Sequence, residues 1–598
     1  MSATPPIDGA TKSGLCGDLP AALDLLCDRL VQSMHPDGFW EGRLSASALS
    51  TATAVSALSL AKTESDRPRI AAGAAWLVEH QNQDHGWGDT TDSPSNLATT
   101  LLSVAALRLA AGAGVGEART ASAMGAAHEY LATRDAGNPQ DVVAAISREY
   151  GGDRTFAVPI LMNLALAELV SWADIADLPF ELAALPHRWY KALRLHVVSY
   201  ALPALIAIGL LIDRRHPPRN PLRRWIRGAI TPAVLAKLEQ IQPPHGGFLE
   251  ATPLTSFVAM GLIPLFGREQ PVAAKCLDFL RQSLRADGSW PIDTNLSVWL
   301  TTAAVAALAG AGALSRIDGP RTARWIAARQ GRTPHPYTQA AAGGWAWTHL
   351  PGGVPDADDT AGAIIALTTL AHRKGIEAGI GWLLDLQNGD GGWPTFCRGW
   401  GKLPFDQSAP DLTAHALRAL WAAGASTATR GARRAMQNGL RYLHRSQQPD
   451  GSWRPLWFGN QQAAGQANPV LGTSRVLRAL EIIDSRSPLA AGGVNYLLGC
   501  QNADGGWGGA QGVPSSQEET ALAVAALAPW AETPATAAAL FRGVEYLLRC
   551  LPHGAGKATP IGLYFSHLWY SEALYPLIWT IEALGRAKRL APIRCETR

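Results

Sequence analysis

The chain has 598 residues, 47% hydrophobic and 17% charged, a balance that excludes disorder as its main state and exceeds what one small core can bury. Its formal net charge of +3 gives no electrostatic footprint for nucleic acid. Tryptophan stands at 21 residues against 11 tyrosines and 12 phenylalanines, and that excess needs a specific cause.

The N-terminus, MSATPPIDGATKSG, carries neither a basic start nor an apolar stretch, so no signal peptide is read and a cytoplasmic location is expected. Seven cysteines (Cys16, Cys27, Cys276, Cys397, Cys500, Cys550 and Cys595) are odd in number, scattered and without a CxxC pair. That pattern points to reduced thiols rather than a disulfide framework.

An amphipathic helix from Ala72 to Val78 leads into a turn, Gln81 to Trp87, with His85 where a glycine would sit. The same turn is fullest at Gln387 to Trp393, Gln447 to Trp453 and Gln501 to Trp507. Weaker copies run Met34 to Trp40, Gln242 to Phe248 and Leu284 to Trp290, and Gly343-Gly344-Trp345 keeps only the end. The pairs Trp40/Trp87, Trp345/Trp393, Trp393/Trp453 and Trp453/Trp507 are 47, 48, 60 and 54 residues apart, about one helical hairpin each. Glycine permits the tight turn, Gln and Asp offer hydrogen bonds to helix ends, and Trp can stack on the Gln amide. Ala/Leu-rich helices follow most copies, as at Leu412 to Ala422 and Thr520 to Ala528, and strand-like alternation is scarce. The prediction is an all-α protein of helical hairpins closed into two α/α barrels. It divides into an N-terminal segment packing on the core (1–30), a first barrel (31–284) and a second barrel carrying an acid cluster (285–598).

Between the early copies lies Val197 to Ile212, 16 apolar residues containing Pro203, short of the roughly 20 needed to span a bilayer. Asp213 and a basic, proline-rich run from Arg214 to Arg224 follow. Apolar surface flanked by cations predicts a monotopic membrane contact near 197–225.

In the late group, Asp356-Ala357-Asp358-Asp359-Thr360 leads directly into the apolar run Ala361 to Leu370. Buried carboxylates neutralise unless paired, so a crowded acidic cluster entering a core reads as a stored proton. The same residues read equally well as a helix N-cap and first-turn acids. Farther on, Asp411 and His415 in Pro410 to Ala416 are four apart on one helix face, which lets Asp411 orient the imidazole.

The Gln-and-Trp repeat, the Asp356 to Thr360 cluster and the Pro410 to Ala416 segment, in that order over nearly the whole chain, resemble the squalene-hopene and oxidosqualene cyclases. These form the triterpene branch of the class II terpene cyclases. The resemblance implies an isomerase that protonates a terminal alkene of squalene or a similar linear polyprene. A cation cascade then gives a polycyclic, hopene-like or related triterpene, without metal, cofactor or diphosphate loss. It implies Asp358 as general acid, Asp356 and Asp359 as flanking carboxylates that hold its proton, and His415 as the partner that strengthens it. The chemistry agrees: an ordinary carboxyl, with a pKa of about 4, is ionised at neutral pH, whereas crowding and desolvation keep one loaded. An alkene is a very poor base, so a protonated His beside the donor must stabilise the carboxylate as it forms. Cation-stabilising aromatics implied by the resemblance are Tyr200, Trp299, Trp347, Phe396, Trp457 and Tyr570. Thr252 falls where the family places a polar residue that orders water near termination. Implied partners are the polyprene, the cytoplasmic surface of a membrane and a second copy in a homodimer, with no nucleic acid.

One segment departs from the family. Leu563 and Thr559 stand where phenylalanines are expected and His567 where a tyrosine is, which puts the final product and the substrate length in doubt. Three alternatives compete. A protein prenyltransferase-like subunit needs a zinc site, for which the cysteines lack a His partner at a convincing spacing. A non-catalytic lipid-binding scaffold of the same fold would have lost the acid. A class II diterpene cyclase acting on a diphosphate is disfavoured by the wealth of repeats.

Overall fold

The computed structural model describes residues 12–151, 153–186, 189, 201–336, 338–396, 404–424, 429–551, 556–563 and 567–590. Helix α1 (Lys12–Gln32) is followed by α2 (Ala48–Ala61), α3 (Arg67–Glu79), α4 (Leu97–Gly112), α5 (Glu117–Ala132) and α6 (Pro139–Tyr150). Then come α7 (Arg154–Leu166), α8 (Leu202–Arg215), α9 (Pro221–Ile241), α10 (Thr252–Phe266) and α11 (Pro271–Ser283). Helices such as α2 and α4 are apolar or small on nearly every side, so they are stable only when surrounded. They meet that demand by closing a ring: α2, α4, α7, α8 and α10 touch in turn, and α10 returns to α2. The more polar helices α3, α5, α6, α9 and α11 pack outside them.

The second half repeats the plan with α12 (Ser297–Ala311), α13 (Gly319–Ala328), α14 (Ala357–Thr369), α15 (Ile376–Leu386), α16 (Pro410–Ala422) and α17 (Arg430–Ser446). It is completed by α18 (Pro469–Ile483), α19 (Pro488–Cys500), α20 (Gln517–Leu527), α21 (Pro534–Cys550) and α22 (Tyr575–Leu590). Here α12, α14, α16, α18, α20 and α22 form the inner ring, closed by contact of α22 with α12. Outside them lie α13, α15, α17, α19 and α21, with α1 packed on α22 and α12. The chain therefore starts on the second ring, builds the first, and returns. Core membership switches between Trp290 and Val298, except that Val354, Phe396 and Phe405 join the first core, while Leu19 to Trp40 belong with the second. The fold is all-α, two α/α barrels of helical hairpins. Two short antiparallel ribbons, β1 (Ala46–Ser47) with β2 (Trp290–Pro291) and β3 (Ile561–Leu563) with β4 (Leu568–Tyr570), complete it.

The tryptophan excess has its cause in the turns. Seven of these indoles (Trp40, Trp87, Trp290, Trp345, Trp393, Trp453, Trp507) donate Nε1 at 2.7–2.8 Å to a carbonyl near the end of an outer helix. The Gln amides are shared between two carbonyls: Gln501 Nε2 donates to Gly505 O and to Ala539 O on α21, both at 2.8 Å. Each turn thus closes itself and staples the next outer helix. At Gly451 (φ +88°) an added Cβ would stand 2.4 Å from the Gly492 carbonyl oxygen, so both the backbone and the close approach require glycine. His85 takes the corresponding left-handed conformation at φ +66° without being glycine.

Candidate active site

The turn at Trp345 fixes the acid cluster. Asp356 N donates to Trp345 O at 3.0 Å, and Trp345 N donates to Thr360 Oγ1 at 3.0 Å, so the turn clamps the first turn of α14. Asp356 is the N-cap: its Oδ1 accepts from Asp359 N at 2.8 Å. Ser47, Asn96, Asn468 and Ser516 cap the inner helices α2, α4, α18 and α20 in the same way. The capping role read from the sequence therefore belongs to Asp356, and it places Asp358 one residue inside the helix, free for another role.

That role is set by α16, the neighbouring inner helix. His415 Nδ1 lies 2.5 Å from Asp358 Oδ1, with the two side chains only 8% and 14% exposed. Asp411 forms no hydrogen bond with His415. It lies in the first turn of α16, where its carboxyl is engaged by the backbone N–H groups of Asp411 and Leu412, and its Oδ1 is left without a partner. The expected i, i+4 orientation of the imidazole fails because the helix's own unsatisfied donors capture the carboxyl first.

Burial divides the carboxyls. It pushes Asp356 up to about 7 and Asp359 well above the usual range, the Asp356 charge adding to the second shift. Asp359 donates to the Asp356 carboxyl, a bond that needs a proton between them. Asp411 is pushed up to about 7 by burial and then by the Asp358 charge. Asp358 goes the other way. Burial raises it too, but the His415 charge and hydrogen bond, with Arg475 and Arg418 beyond, outweigh burial and hold it below the ordinary carboxylate value. Burial lowers His415, against the Asp358 charge and hydrogen bond that raise it, so the cluster holds a stored proton beside a carboxyl whose strength depends on the imidazole being protonated.

Asp356, Asp358 and Asp359, but not Asp411, line a cavity of about 340 Å³ whose remaining wall comes from both halves of the chain. Five of the six aromatics expected there line it: Trp299, Trp347, Phe396, Trp457 and Tyr570. Tyr200 lies outside the described residues. Thr252 is buried at the start of α10 between the lining residues Ala251 and Pro253, but does not itself line the cavity. The aromatic wall is tightly connected. Phe396 lies 6.1 Å from Trp347 and edge-on to Trp457 at 5.5 Å, and Trp347 Nε1 donates to Asp293 Oδ2 at 3.0 Å. The Trp347 carbonyl accepts from Val298 N at 2.9 Å and Trp299 N at 3.2 Å, which ties the two indoles to the first turn of α12.

Among the lining residues that escaped the sequence reading are Phe405, Tyr575 and Asp293. Phe405 stacks on Phe396 at 5.2 Å, and Tyr575 lies with its hydroxyl 3.3 Å from that of Tyr570. Asp293 has a carboxyl that burial, then the Glu250 charge, raises well above the usual range, and its Oδ1 has no partner. Tyr575 had a signal, since it opens an apolar helix five residues after Tyr570; a lone Asp293 in a loop had none. Of the three departing residues, Leu563 lines the cavity, while Thr559 and His567 are not among its lining residues. Thr559 Oγ1 donates to Glu518 Oε2 at 2.9 Å, and His567 Nδ1 lies 3.0 Å from Gln466 Oε1. Among the described residues, no group of three His, Cys, Asp or Glu is placed to hold a metal ion.

The family model for the squalene-hopene cyclase N-terminal domain matches residues 23–230, that for the C-terminal domain matches 296–586, and a prenyltransferase alpha-alpha toroid domain matches 233–344. A probable squalene–hopene cyclase of Sinorhizobium fredii is 24% identical over 88% of this chain and 90% of its own. A drimenyl diphosphate synthase of Streptomyces showdoensis is 32% identical over 54% of this chain and 57% of its own. Two longer relatives extend well beyond the match, the chain spanning 42% and 46% of their lengths. In fold, the chain is similar to ent-copalyl diphosphate synthase from Streptomyces platensis, with a TM-score of 0.58 at 19% identity over 95% of this chain and 99% of that one. With both of its halves matched by the two domain models of one family, the chain belongs to the class II terpene cyclases.

Proposed function

We propose that this cyclase protonates a terminal alkene of squalene or a similar long, uncharged polyprene and guides the resulting cation to a polycyclic triterpene. One observation carries the reading. A buried carboxyl paired with a histidine faces a cavity whose wall, beyond Asp293, Asp356, Asp359 and two threonines, is apolar and aromatic and, among the described residues, is lined by no lysine or arginine. Such a wall suits a hydrocarbon. Asp358 is the proton donor. His415 stabilises the carboxylate as it forms, and the proton shared by Asp356 and Asp359 reloads it. Trp299, Trp347, Phe396, Trp457 and Tyr570 then present π faces to the moving cation, each contributing about 0.5–2 kcal/mol, without offering a nucleophile.

The substrate would enter from a bilayer. No helix among the described residues is long and apolar enough to cross one. The described part of the expected apolar run, Leu202 to Ile212, is mostly buried in the inner helix α8 and is not the contact, but at the start of α9 Leu222, Trp225 and Ile226 are 62%, 70% and 39% exposed, with Arg219 and Arg224 also exposed beside them. Arg227, one residue on, is fully buried and donates to Asp177 and Asp213 at 2.8 and 2.9 Å, which holds this apolar turn outward. We place this face on the cytoplasmic surface of a membrane as a monotopic contact. Leu222→Ser/Trp225→Ser should move the protein from the membrane to the soluble fraction; an unchanged distribution would refute the contact.

A second reading is favoured by Asp293, whose free Oδ1 gives the wall one polar anchor, and by the likeness to a drimenyl diphosphate synthase. It is a prenyl substrate with an oxygenated head. The purified enzyme is incubated in detergent with squalene and, separately, with farnesyl and geranylgeranyl diphosphates, and products are identified by mass spectrometry alongside Asp358→Asn. Cyclic product from squalene supports the first reading, and product from a diphosphate alone supports the second. Unchanged turnover by Asp358→Asn would remove the proposed acid.

A further inference from the structure

The lumen of the second ring holds a pocket of about 60 Å³, distinct from the substrate cavity and walled off from it by Trp299, which lines both. All six inner helices contribute to it, including Trp299, His415, Arg418, Ser474, Arg475 and Glu582. Its volume admits several water-sized groups, since one water needs about 10–15 Å³.

The charges around it do not balance. Arg478 Nη1 pairs with Glu582 Oε1 at 2.7 Å, and Arg586 pairs with Glu481 and donates to Ala525 O at 3.1 Å, which engages both glutamates. Arg418 and Arg475 have no carboxylate within ion-pair distance among the described residues, Arg475 lying over the Trp299 ring at 5.3 Å. Burial, then the Arg478 charge, pushes Arg418 down to about 9. Two further groups are orphaned: Ser474 Oγ and Trp299 Nε1 are buried without partners, on side chains 1% and 6% exposed. Two guanidinium groups and a hydroxyl line one space with donors, the unpartnered Trp299 indole borders it, and among the described residues the one carboxylate lining it, Glu582, is already paired. An enclosed donor set of this kind lacks an acceptor.

We propose that this pocket binds a small inorganic oxyanion, phosphate or sulfate, between Arg418 and Arg475. Guanidinium forks match the paired oxygens of an oxyanion better than a spherical halide, and the Ser474 hydroxyl and Trp299 N–H supply further donors. The site is linked to the chemistry through His415, which borders the pocket on one side and holds Asp358 on the other. An anion there would offset the Arg418 and Arg475 charges that strengthen Asp358, so occupancy slows the protonation step. This makes the second ring's lumen a brake on the acid. The binding claim does not depend on which polyprene is the substrate.

The test is thermal unfolding of the whole protein at constant ionic strength, titrated with phosphate, sulfate or chloride. The expected result is a saturable rise in Tm with either oxyanion and none with chloride. Binding should be about tenfold weaker in Ser474→Ala, the scale of one hydrogen bond to a charged group, and abolished in Arg418→Gln. Crystals soaked in selenate should show an anomalous peak between Arg418 and Arg475, which decides the matter if Arg418→Gln does not fold. Turnover should fall along the same saturation curve as the rise in Tm. Water alone in the pocket, an equal response to chloride, or an undiminished response in Arg418→Gln would overturn the proposal.

Discussion

Replacing His415 by Gln separates the charge of the Asp358 partner from its hydrogen bond. The pair is nearly enclosed, at 8% and 14% exposure, so solvent screening discounts little of its energy. A hydrogen bond to a charged group contributes about 1.5–3 kcal/mol and a neutral one about 0.5–1.5 kcal/mol, so the exchange forfeits roughly 1.5 kcal/mol of carboxylate stabilisation. At about 1.4 kcal/mol per pKa unit this is about a tenfold loss of acid strength, and the single-turnover rate should fall by up to that factor. His415→Leu removes both parts. It should fall by about a hundredfold and also destabilise the fold by about 3–5 kcal/mol, since a buried charge loses its partner. The pH profile adds a readout that a packing defect would not move. Burial, then the Asp356 charge, holds the shared proton on Asp359 well above the usual carboxylate range, and turnover falls as rising pH strips it. In His415→Gln the cluster loses a neighbouring positive charge, so its carboxyls hold their protons to higher pH and the falling limb moves up. Product quantified by gas chromatography and mass spectrometry after rapid mixing gives both numbers. An unchanged rate, or a limb that moves down, would refute the division of labour.

Burial should also make the fold itself pH-dependent. Asp356, Asp411, Glu518 and Glu572 are each pushed up to about 7, by burial first. Folded pKa values above unfolded ones give stability that is fully present below about 4 and lost as pH rises through about 7. Calorimetry should therefore find a higher Tm near pH 5.5 than near pH 8, and a rise in Tm over that interval would contradict the protonated state of these groups. Asp356→Asn keeps an equally good N-cap and should retain Tm, whereas Asp356→Ala should lose about 1 kcal/mol; both remove the carboxyl shared with Asp359 and should slow turnover. Gly451→Ala forces a side chain to φ +88° with its Cβ 2.4 Å from a carbonyl oxygen, so chemical denaturation should show a loss of about 1–3 kcal/mol. No loss would mean that the turn relaxes.

The ring architecture was legible because each hairpin repeats one local solution, a Gln-to-Trp turn whose bonds are made within ten residues or to the next outer helix. The acid cluster and His415 were legible through their order along the chain, and the pairing of Asp358 with His415 is as expected. What escaped depends on closure in space. Each turn is also held by a threonine on an inner helix, whose Oγ1 accepts the Trp backbone N–H. For Trp87 that threonine is 13 residues on and for Trp393 it is 20. For Trp40 and Trp290 it is Thr301 and Thr51, 261 and 239 residues away, because these two turns meet helices from remote parts of the chain. No fixed spacing marks such a residue. Packing of α1 on the second ring is hidden for the same reason. Asp411 was misjudged on a different ground: helix-face periodicity places it near His415, but a first-turn carboxylate satisfies its own helix before it reaches a neighbour.

The central claim is that a proton from Asp358 starts the cyclisation, and running the reaction in heavy water tests it most directly. With squalene as substrate, the account predicts one deuteron in each cyclic product, carried on the first-formed ring, and no such product from Asp358→Asn. Cyclic product without deuterium, or deuterated product at an undiminished rate from Asp358→Asn, would contradict it.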